Sequence, residues 1–306
     1  MVYFILKLVV LLLSVLLSVA FLTLLERKIL GYIQKRKGPN KLGAKGILQP
    51  FSDAIKLLSK ETLILVSVNH LVFFLSPITI LLVSLLIWLA FPSSLGSFEL
   101  KLSIIFIMCC LSASVYPILS AGWASNSKFP FLGSLRAVAQ TISYEVSFAF
   151  IILSLVALTS SYSLNEFMIF LDWMVLLIFP PLAVLWFTSA LAETNRTPFD
   201  FSEGESELVS GFNTEYSASG FVLFFLAEYS SILFMSMLTS ILFFNSYDLT
   251  FSLTLSTLFI AYIFIWVRGT LPRLRYDKLM ALAWKIFLPV AISYLLFIFS
   301  AAAGVG

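Results

Sequence analysis

The chain has 306 residues, of which 60% are hydrophobic and only 11% are charged, and its formal net charge is +3. This composition excludes an ordinary soluble domain, and we expect no nucleic-acid partner. Successive apolar runs close to 20 residues long match helices that cross about 30 Å of hydrocarbon. The sequence therefore predicts a single polytopic membrane domain over residues 1–306.

The cysteine and histidine content limits the redox chemistry of this chain. It has one histidine, His70, and two adjacent cysteines, Cys109 and Cys110. A haem held by two histidines of this chain is excluded, and an iron–sulfur cluster needs about four cysteine ligands. We therefore expect this chain to bind no metal, haem, flavin or iron–sulfur cluster, so that the electrons of any redox reaction arrive from elsewhere.

Apolar segments separated by prolines and polar residues predict eight transmembrane helices, so the expected fold class is an all-α membrane protein, a bundle of eight helices. The first segment is too long for the hydrophobic part of a signal peptide, which has about 7–15 residues. The predicted spans are residues 2–30, 70–91, 100–121, 136–160, 173–192, 217–245, 252–270 and 282–303.

The positions of lysine and arginine predict the orientation of these spans, because the loops on the inner side of a membrane are enriched in both. Of the 19 lysines and arginines, only Lys7 and Lys101 lie on the N-terminal side of the predicted membrane. All the others lie on the opposite, inner side or at the inner span ends. This segregation predicts that both termini lie on the outer side.

The first inner loop, residues 31–69, contains a periodic apolar pattern. Four apolar residues recur at helical spacing, namely Ile47, Phe51, Ile55 and Leu58. The charged residues on other faces of this segment are Asp53, Lys56 and Lys60. The pattern predicts an amphipathic helix that lies at the membrane interface. A plain basic loop that only orients the protein explains the lysines equally well, but it does not explain the apolar stripe.

The third inner loop, residues 193–216, reverses the usual charge of an inner loop. Its only cation is Arg196, and its six acids are Glu193, Asp200, Glu203, Glu205, Glu207 and Glu215. Acidic residues contribute little to orientation, so topology gives no reason for them. Crowded carboxylates raise one another's pKa and titrate as a coupled set. The loop is either such a proton-holding set or a plain acidic surface loop.

The fourth inner loop, residues 268–278, is basic. It contains four cations, namely Arg268, Arg273, Arg275 and Lys278. The planar guanidinium of arginine suits pairing with carboxylates. These residues either pair with the acidic loop or serve only to orient the chain.

Glu145 falls inside the fourth predicted span and Glu228 inside the sixth. An ionised residue at the bilayer centre costs about 2.5–3.5 kcal/mol, so both are expected to face the bundle interior or a hydrated cavity. Arg136, Gln140 and Tyr144 are spaced by four and therefore share one helix face beside Glu145. These side chains form either part of a proton path or a hydrogen-bonded pair that only locks helices together.

Several stretches resemble a known family, among them GILQPFSDAIKLLSKE at residues 46–61, LRAVAQTISYE at residues 135–145 and PFDFSEGESELVSG at residues 198–211. They are similar to the quinone-module membrane subunit of respiratory complex I in its mitochondrial form, and the likeness covers essentially the whole chain. Complex I is the proton-pumping NADH:ubiquinone oxidoreductase, a respiratory-chain enzyme of electron transport.

The resemblance implies a core subunit that forms the ubiquinone tunnel and couples quinone reduction to proton translocation. Ubiquinone would be its substrate, with the redox centres on partner subunits. The implied partners are the hydrophilic quinone-site and iron–sulfur subunits, the membrane-arm subunits, and lipids. The implied location is the mitochondrial inner membrane, with both termini toward the intermembrane space.

The resemblance also assigns two sets of site residues, none of them redox-active. Those along the quinone tunnel or its mouth would be Arg27, Arg36, Phe51, Asp53, Lys56, Phe199, Asp200, Arg273 and Arg275. Those that couple to protons would be Tyr144, Glu145, Glu193, Arg196, Glu203, Glu205, Glu207, Glu215 and Glu228.

Three other functions are open at this point. A stand-alone proton or cation transporter is disfavoured because such proteins commonly contain internal repeats, and none is visible here. A scaffold that only anchors a hydrophilic arm would tolerate neutral replacements of Glu145 or Glu228. A membrane anchor of an energy-converting hydrogenase shares ancestry with the family, but the likeness along the whole chain favours the respiratory subunit.

Overall fold

The computed structural model describes residues 2–63, 66–92, 100–170, 176, 178–201, 211–244 and 251–305, and all regular elements in these ranges are helices. The α-helices are α1 (Val2–Ile33), α2 (Gln49–Leu58), α3 (His70–Leu86), α4 (Ser103–Ala124), α5 (Lys128–Thr159), α6 (Leu164–Phe170), α7 (Pro180–Glu193), α8 (Ala218–Phe243), α9 (Phe251–Thr270), α10 (Tyr276–Leu282) and α11 (Leu288–Val305). Short 3₁₀ turns cover Ala44–Gly46, Ile87–Ala90 and Gly211–Asn213, and a π-helical turn, Ala283–Phe287, joins α10 to α11. The predicted all-α class is confirmed.

Seven helical segments of the described chain are long and apolar enough to cross a membrane. They are Ile5–Ile33, His70–Ala90, Ser103–Ala124, Lys128–Thr159, Ala218–Phe243, Phe251–Thr270 and Tyr276–Ala301. They match seven of the eight predicted spans. The remaining prediction, residues 173–192, overlaps α7, and residues 171–175 and 177 before this helix lie outside the described residues.

Two predicted spans begin earlier than expected. Helix α5 starts at Lys128, before the predicted start at residue 136, and Pro130 lies in its first turn. Proline is tolerated there because the first N–H groups of a helix have no partner within it. The last span begins at Tyr276, because the charged residues assigned to the inner loop form α10, which continues into α11.

The bundle has an apolar outer face and a number of polar side chains in its interior, unlike a soluble protein. Leu13 and Leu17 of α1 are 57% and 52% exposed on the outer face. Gln140 and Ser147 of α5 are fully buried. An apolar exterior around a partly polar interior suits a surrounding of lipid.

Helix α5 lies at the centre of the packing and contacts α4, α7 and α11. Phe148 of α5 stacks on Trp186 of α7 with ring centroids 4.5 Å apart. The contact with α4 requires Gly122, because a Cβ there would lie 2.1 Å from Oγ of Ser134. This close packing fixes the position of α7 and of the acidic loop that follows it.

Candidate functional site

The segment 193–201, which begins the acidic loop, turns sharply after α7. The amide of Arg196 donates to the carbonyl of Leu191 at 3.2 Å, and the amide of Phe199 donates to the carbonyl of Arg196 at 2.8 Å. These bonds hold a tight loop whose side chains point into two different cavities. The sequence predicted Glu193 and Arg196 as members of one proton-coupling set, and the structure separates them.

Arg196 belongs to a buried charge cluster, defined here by Glu26, Arg196 and Arg268. Nη1 of Arg196 lies 3.5 Å from Oε1 of Glu26, and Nη1 of Arg268 donates to the same oxygen. The Arg196 guanidinium also lies 4.5 Å from the ring centroid of Tyr229 in α8, a cation–π contact. Glu26 is only 5% exposed, so the cluster ties α1, α9 and the loop together inside the bundle.

Sequence reasoning missed Glu26, although a signal was present. It lies within the predicted first span, as Glu145 and Glu228 lie within theirs. The rule that marked those two carboxylates as functional candidates applies to Glu26 as well. Arg268, which the sequence left as either pairing or topogenic, pairs with it.

A membrane-side cavity of about 280 Å³ opens between α1, α2 and α8. Its walls are largely apolar and include Ala20, Val222 and Phe225. The ion pair between Arg27 and Asp53 lies on its lining. Tyr229, which also lines this cavity, forms part of the wall of the smaller cavity that contains the charge cluster. Tyr229 is therefore a wall residue that the two cavities share.

A carboxylate cavity of about 60 Å³ lies on the other side of the loop, between α3, α4, α7 and α8. Glu193 and Glu228 line it together with several hydroxyl and amide side chains, namely Ser84, Ser114, Ser231, Thr194 and Asn195. One water needs about 10–15 Å³, so this space admits a few waters between the two carboxyl groups.

Glu193, the first residue after the predicted fifth span, is half-buried and lines the carboxylate cavity. Burial, and to a smaller extent the charge of Glu145, raises the pKa of its carboxyl to about 8. The carboxyl therefore holds its proton at neutral pH and can lose it when a nearby charge changes.

The basic fourth loop contacts the acidic loop directly. Nη2 of Arg273 donates to Oδ2 of Asp200 at 3.2 Å, and the amide of Leu274 donates to the carbonyl of Pro198 at 3.1 Å. The pairing that the sequence left open is therefore present. Arg275 instead pairs with Asp277 at 3.1 Å, and both side chains are more than two-thirds exposed, at 78% and 71%.

The far end of the acidic loop is held by Tyr216. Its ring stacks on Phe73 of α3 with centroids 4.1 Å apart, and its hydroxyl lies 2.9 Å from Oγ of Ser76. Burial raises the pKa of Tyr216 to about 12, which outweighs the lowering effect of the Ser76 bond. The phenol stays neutral and fixes the loop where it enters α8.

The predicted quinone residues separate into groups. Arg27 and Asp53 meet at the membrane-side cavity, and Asp200 and Arg273 meet at the loop contact. Phe199 is buried, with its ring centroid 5.9 Å from that of Tyr144. The remaining members are exposed and away from the cavity lining, namely Arg36, Phe51, Lys56 and Arg275.

The predicted proton-coupling residues are also divided. Glu193 and Glu228 share the carboxylate cavity, and the charge of Glu145 raises the pKa of Glu193. Tyr144 instead faces the C-terminal helices, where its hydroxyl donates to the carbonyl of Leu279 at 3.3 Å.

Among the described residues, no other acid of the loop lines the carboxylate cavity. Glu215 is half-buried after the turn at Gly211–Asn213, and Glu203, Glu205 and Glu207 lie outside the described residues. Within the described part of the chain, no three His, Cys, Asp or Glu side chains are grouped so as to hold a metal ion.

Comparisons with known proteins agree with the resemblance seen in the sequence. The profile of the family described as NADH dehydrogenase matches residues 6–299. The NADH-ubiquinone oxidoreductase chain 1 of Anopheles gambiae is 56% identical over 289 residues, which cover 94% of this chain and 92% of that protein. The protein of the same name from Locusta migratoria is 56% identical over 302 residues, which cover 96% and 94%. The one from Phascolarctos cinereus is 51% identical over 294 residues, which cover 94% and 92%. The resemblance is thereby confirmed, and the chain belongs to the NADH dehydrogenase family.

Proposed function

We propose that the chain is a core membrane subunit of proton-pumping NADH:ubiquinone oxidoreductase, in which it admits ubiquinone and couples its reduction to proton translocation. Relatives that carry the name of this enzyme support the proposal. The observation that carries it is the placement of one short segment, 193–201, between two cavities. In this segment, Arg196 belongs to the charge cluster and Glu193 lines the carboxylate cavity.

The membrane-side cavity is the proposed access route for ubiquinone. Ubiquinone has a long apolar tail and a polar head, so its route needs apolar walls and a polar inner end. The apolar side chains from α1, α2 and α8 supply those walls. Arg27, Asp53 and Tyr229 supply polar groups, and beyond Tyr229 lies the charge cluster.

The carboxylate cavity is the proposed start of the proton path. The charge of Glu145 raises the pKa of Glu193, and Glu228 lines the same cavity as Glu193. Carboxylates this close to one another would titrate as a coupled set. Negative charge that develops when the quinone head is reduced competes with Glu26 for Arg196. Because Arg196 and Glu193 belong to the same short loop, displacement of the arginine shifts the carboxyl and its proton affinity.

The complete bundle has eight spans in this proposal. Helix α7 and the residues before it form the span predicted at 173–192, and α2 lies along the membrane interface. The exposure of the apolar stripe on α2 supports this location, since Ile55 and Leu58 are 68% and 61% exposed in the chain by itself. The subunit lies in the mitochondrial inner membrane with both termini toward the intermembrane space.

The electrons come from partner subunits in this proposal. The exposed charged residues Arg36, Lys56 and Arg275 would face the hydrophilic subunits that carry the iron–sulfur centres and the quinone head site. This accounts for predicted tunnel residues that lie on the surface of the single chain. Membrane-arm subunits and lipids would cover the apolar outer face.

An Ala20→Phe substitution tests the quinone route. The larger side chain fills the membrane-side cavity from α1. In the assembled enzyme we expect the KM for long-tailed ubiquinone to rise about tenfold, equivalent to about 1.4 kcal/mol of lost binding. NADH oxidation by ferricyanide, which does not need the quinone route, should stay unchanged. Both rates are measured on membranes that contain the variant.

The matched control is Leu17→Phe, which adds an aromatic ring on the same helix at a side chain 52% exposed on the outer face. It should leave both rates unchanged. An unchanged ubiquinone KM in the Ala20→Phe enzyme would contradict the proposed route. Ion transport by the isolated chain reconstituted without partners would instead favour a stand-alone transporter.

A further inference from the structure

Gln140 lies in the middle of α5 and is fully buried. Its Nε2 donates two hydrogen bonds, to the carbonyl of Ala192 at 2.9 Å and to the carbonyl of Phe199 at 2.9 Å. Ala192 lies in the last turn of α7, and Phe199 follows the tight loop. One side-chain amide therefore holds both ends of the loop 193–198.

The Gln140 side chain uses its N–H donors and not its carbonyl oxygen. Its acceptor, Oε1, has no hydrogen-bond partner among the described residues. A polar group buried without a partner destabilises the fold, so the benefit of an amide at this position lies in the two bonds of Nε2. A glutamine supplies two N–H donors from one nitrogen, which few other side chains can do.

The two tied carbonyls enclose the residues that face the two cavities. Glu193 follows Ala192 directly and lines the carboxylate cavity. Arg196 lies three positions further along and contacts Glu26 and Tyr229. Because α5 holds both ends of the loop, the ends cannot move with Arg196. A movement of Arg196 therefore changes the conformation of the residues between them.

We propose that Gln140 is a positioning residue that clamps the loop 193–198, so that a displacement of Arg196 on the quinone side is transmitted to Glu193 on the proton side. The inference rests on the proposed function. Gln140 itself touches neither the quinone route nor the carboxylate cavity among the described lining residues. It acts through the loop backbone.

A Gln140→Met substitution in the assembled enzyme tests the clamp, since methionine has similar length and no donor. We expect the KM for ubiquinone to rise about fivefold, the size of effect that loss of one net hydrogen bond has on an equilibrium. We also expect fewer protons pumped per electron, measured in sealed vesicles. Both changes should appear at an unaltered amount of assembled enzyme. Normal values for both would overturn the proposal.

The matched control is Thr141→Val. Thr141 is also buried in α5, but within the described parts of the chain its hydroxyl bonds only the carbonyls of Ala137 and Val138 in its own helix, at 3.1 Å each. It should change neither the KM nor the proton stoichiometry. If it produces both changes, loss of any buried polar group in α5 suffices and the clamp is refuted.

A second variant keeps the test decisive if Gln140→Met does not assemble. Gln140→Glu keeps the size and, when protonated in this buried place, one donor, so it should give smaller changes in the same two quantities. Wild-type values in this variant would overturn the clamp. The Ala20→Phe enzyme distinguishes failure of the clamp from failure of the proposed quinone route. A raised ubiquinone KM in Ala20→Phe together with normal values in the Gln140 variants refutes only the clamp. An unchanged KM in Ala20→Phe refutes the quinone route.

Discussion

At the scale of single residues, several buried polar groups of the bundle are held by a specific partner. Glu26 contacts two arginines from different parts of the chain, Arg196 and Arg268. A lone ionised carboxylate in this environment would be strongly unfavourable, and it is retained because its partners are placed by packing. Removing the Glu26 carboxylate would therefore weaken the contacts of α1 with both α9 and the acidic loop.

We expect Glu26→Gln to destabilise the assembled enzyme. Removing one partner of a buried ion pair costs about 3–5 kcal/mol, and here the same carboxylate serves two arginines. The midpoint of thermal inactivation of NADH:ubiquinone activity should fall clearly. Glu166→Gln is the control, because this carboxylate of α6 is exposed. Equal midpoints for the two variants would contradict the structural role of the cluster.

Glu193 should make stability depend on pH. Its pKa of about 8 in the folded chain exceeds the ordinary glutamate value of about 4.3. Between these values the folded chain binds a proton that the unfolded chain does not, so stability falls as pH rises through this window and is level above about 8. The wild-type midpoint of thermal inactivation should therefore drop between pH 6 and pH 9.

Glu193→Gln should flatten that drop, because the amide does not titrate, and Glu166→Gln should leave it as in the wild type. An infrared band of a protonated carboxyl at pH 7 that disappears in Glu193→Gln would report the same proton directly. A drop of the same size in Glu193→Gln would mean that other groups cause the pH dependence.

At the scale of elements, apolar length and periodicity predicted most helices well. The apolar stripe of Ile47, Phe51, Ile55 and Leu58 predicted a helix in the first inner loop, and α2 is present over Gln49–Leu58. Helix ends were less predictable. Charge placed Tyr276 and Asp277 in a loop, yet both begin α10, because a charged side chain does not prevent helix formation near a membrane surface.

Contacts between elements were not predictable in the same way. Gln140 and Tyr144 lie on one face of α5, as their spacing indicates, but their polar groups form hydrogen bonds with different elements. Gln140 bonds the loop after α7, whereas Tyr144 bonds the carbonyl of Leu279 in α10. Helical periodicity specifies which residues share a face, and it contains no information on which element packs against that face.

At the scale of the whole molecule, the number of spans decides the location of the termini. An even number places both on one side of the membrane, whereas the seven segments found within the described residues would by themselves place them on opposite sides. The segregation of lysine and arginine predicts the even number.

Epitope tags at each terminus, tested separately, measure this arrangement. In mitochondria with a ruptured outer membrane and an intact inner membrane, we expect added protease to remove both tags. A tag inside the matrix is protected. Protection of one tag and loss of the other would contradict eight spans, and protection of both would reverse the proposed orientation.

The sequence by itself determined the class of the molecule, because this class follows from local properties. These properties are the length of the apolar runs, the charge of the loops and the carboxylates inside spans, and they reflect the cost of placing polar groups in lipid. It also led to the family, through stretches spread along the whole chain. Only the tertiary structure decided that Glu193 and Arg196, three positions apart, face different cavities, and that Glu26 meets Arg268 from the far end of the chain. Such contacts depend on how the helices pack around α5, and packing joins residues that are distant in sequence.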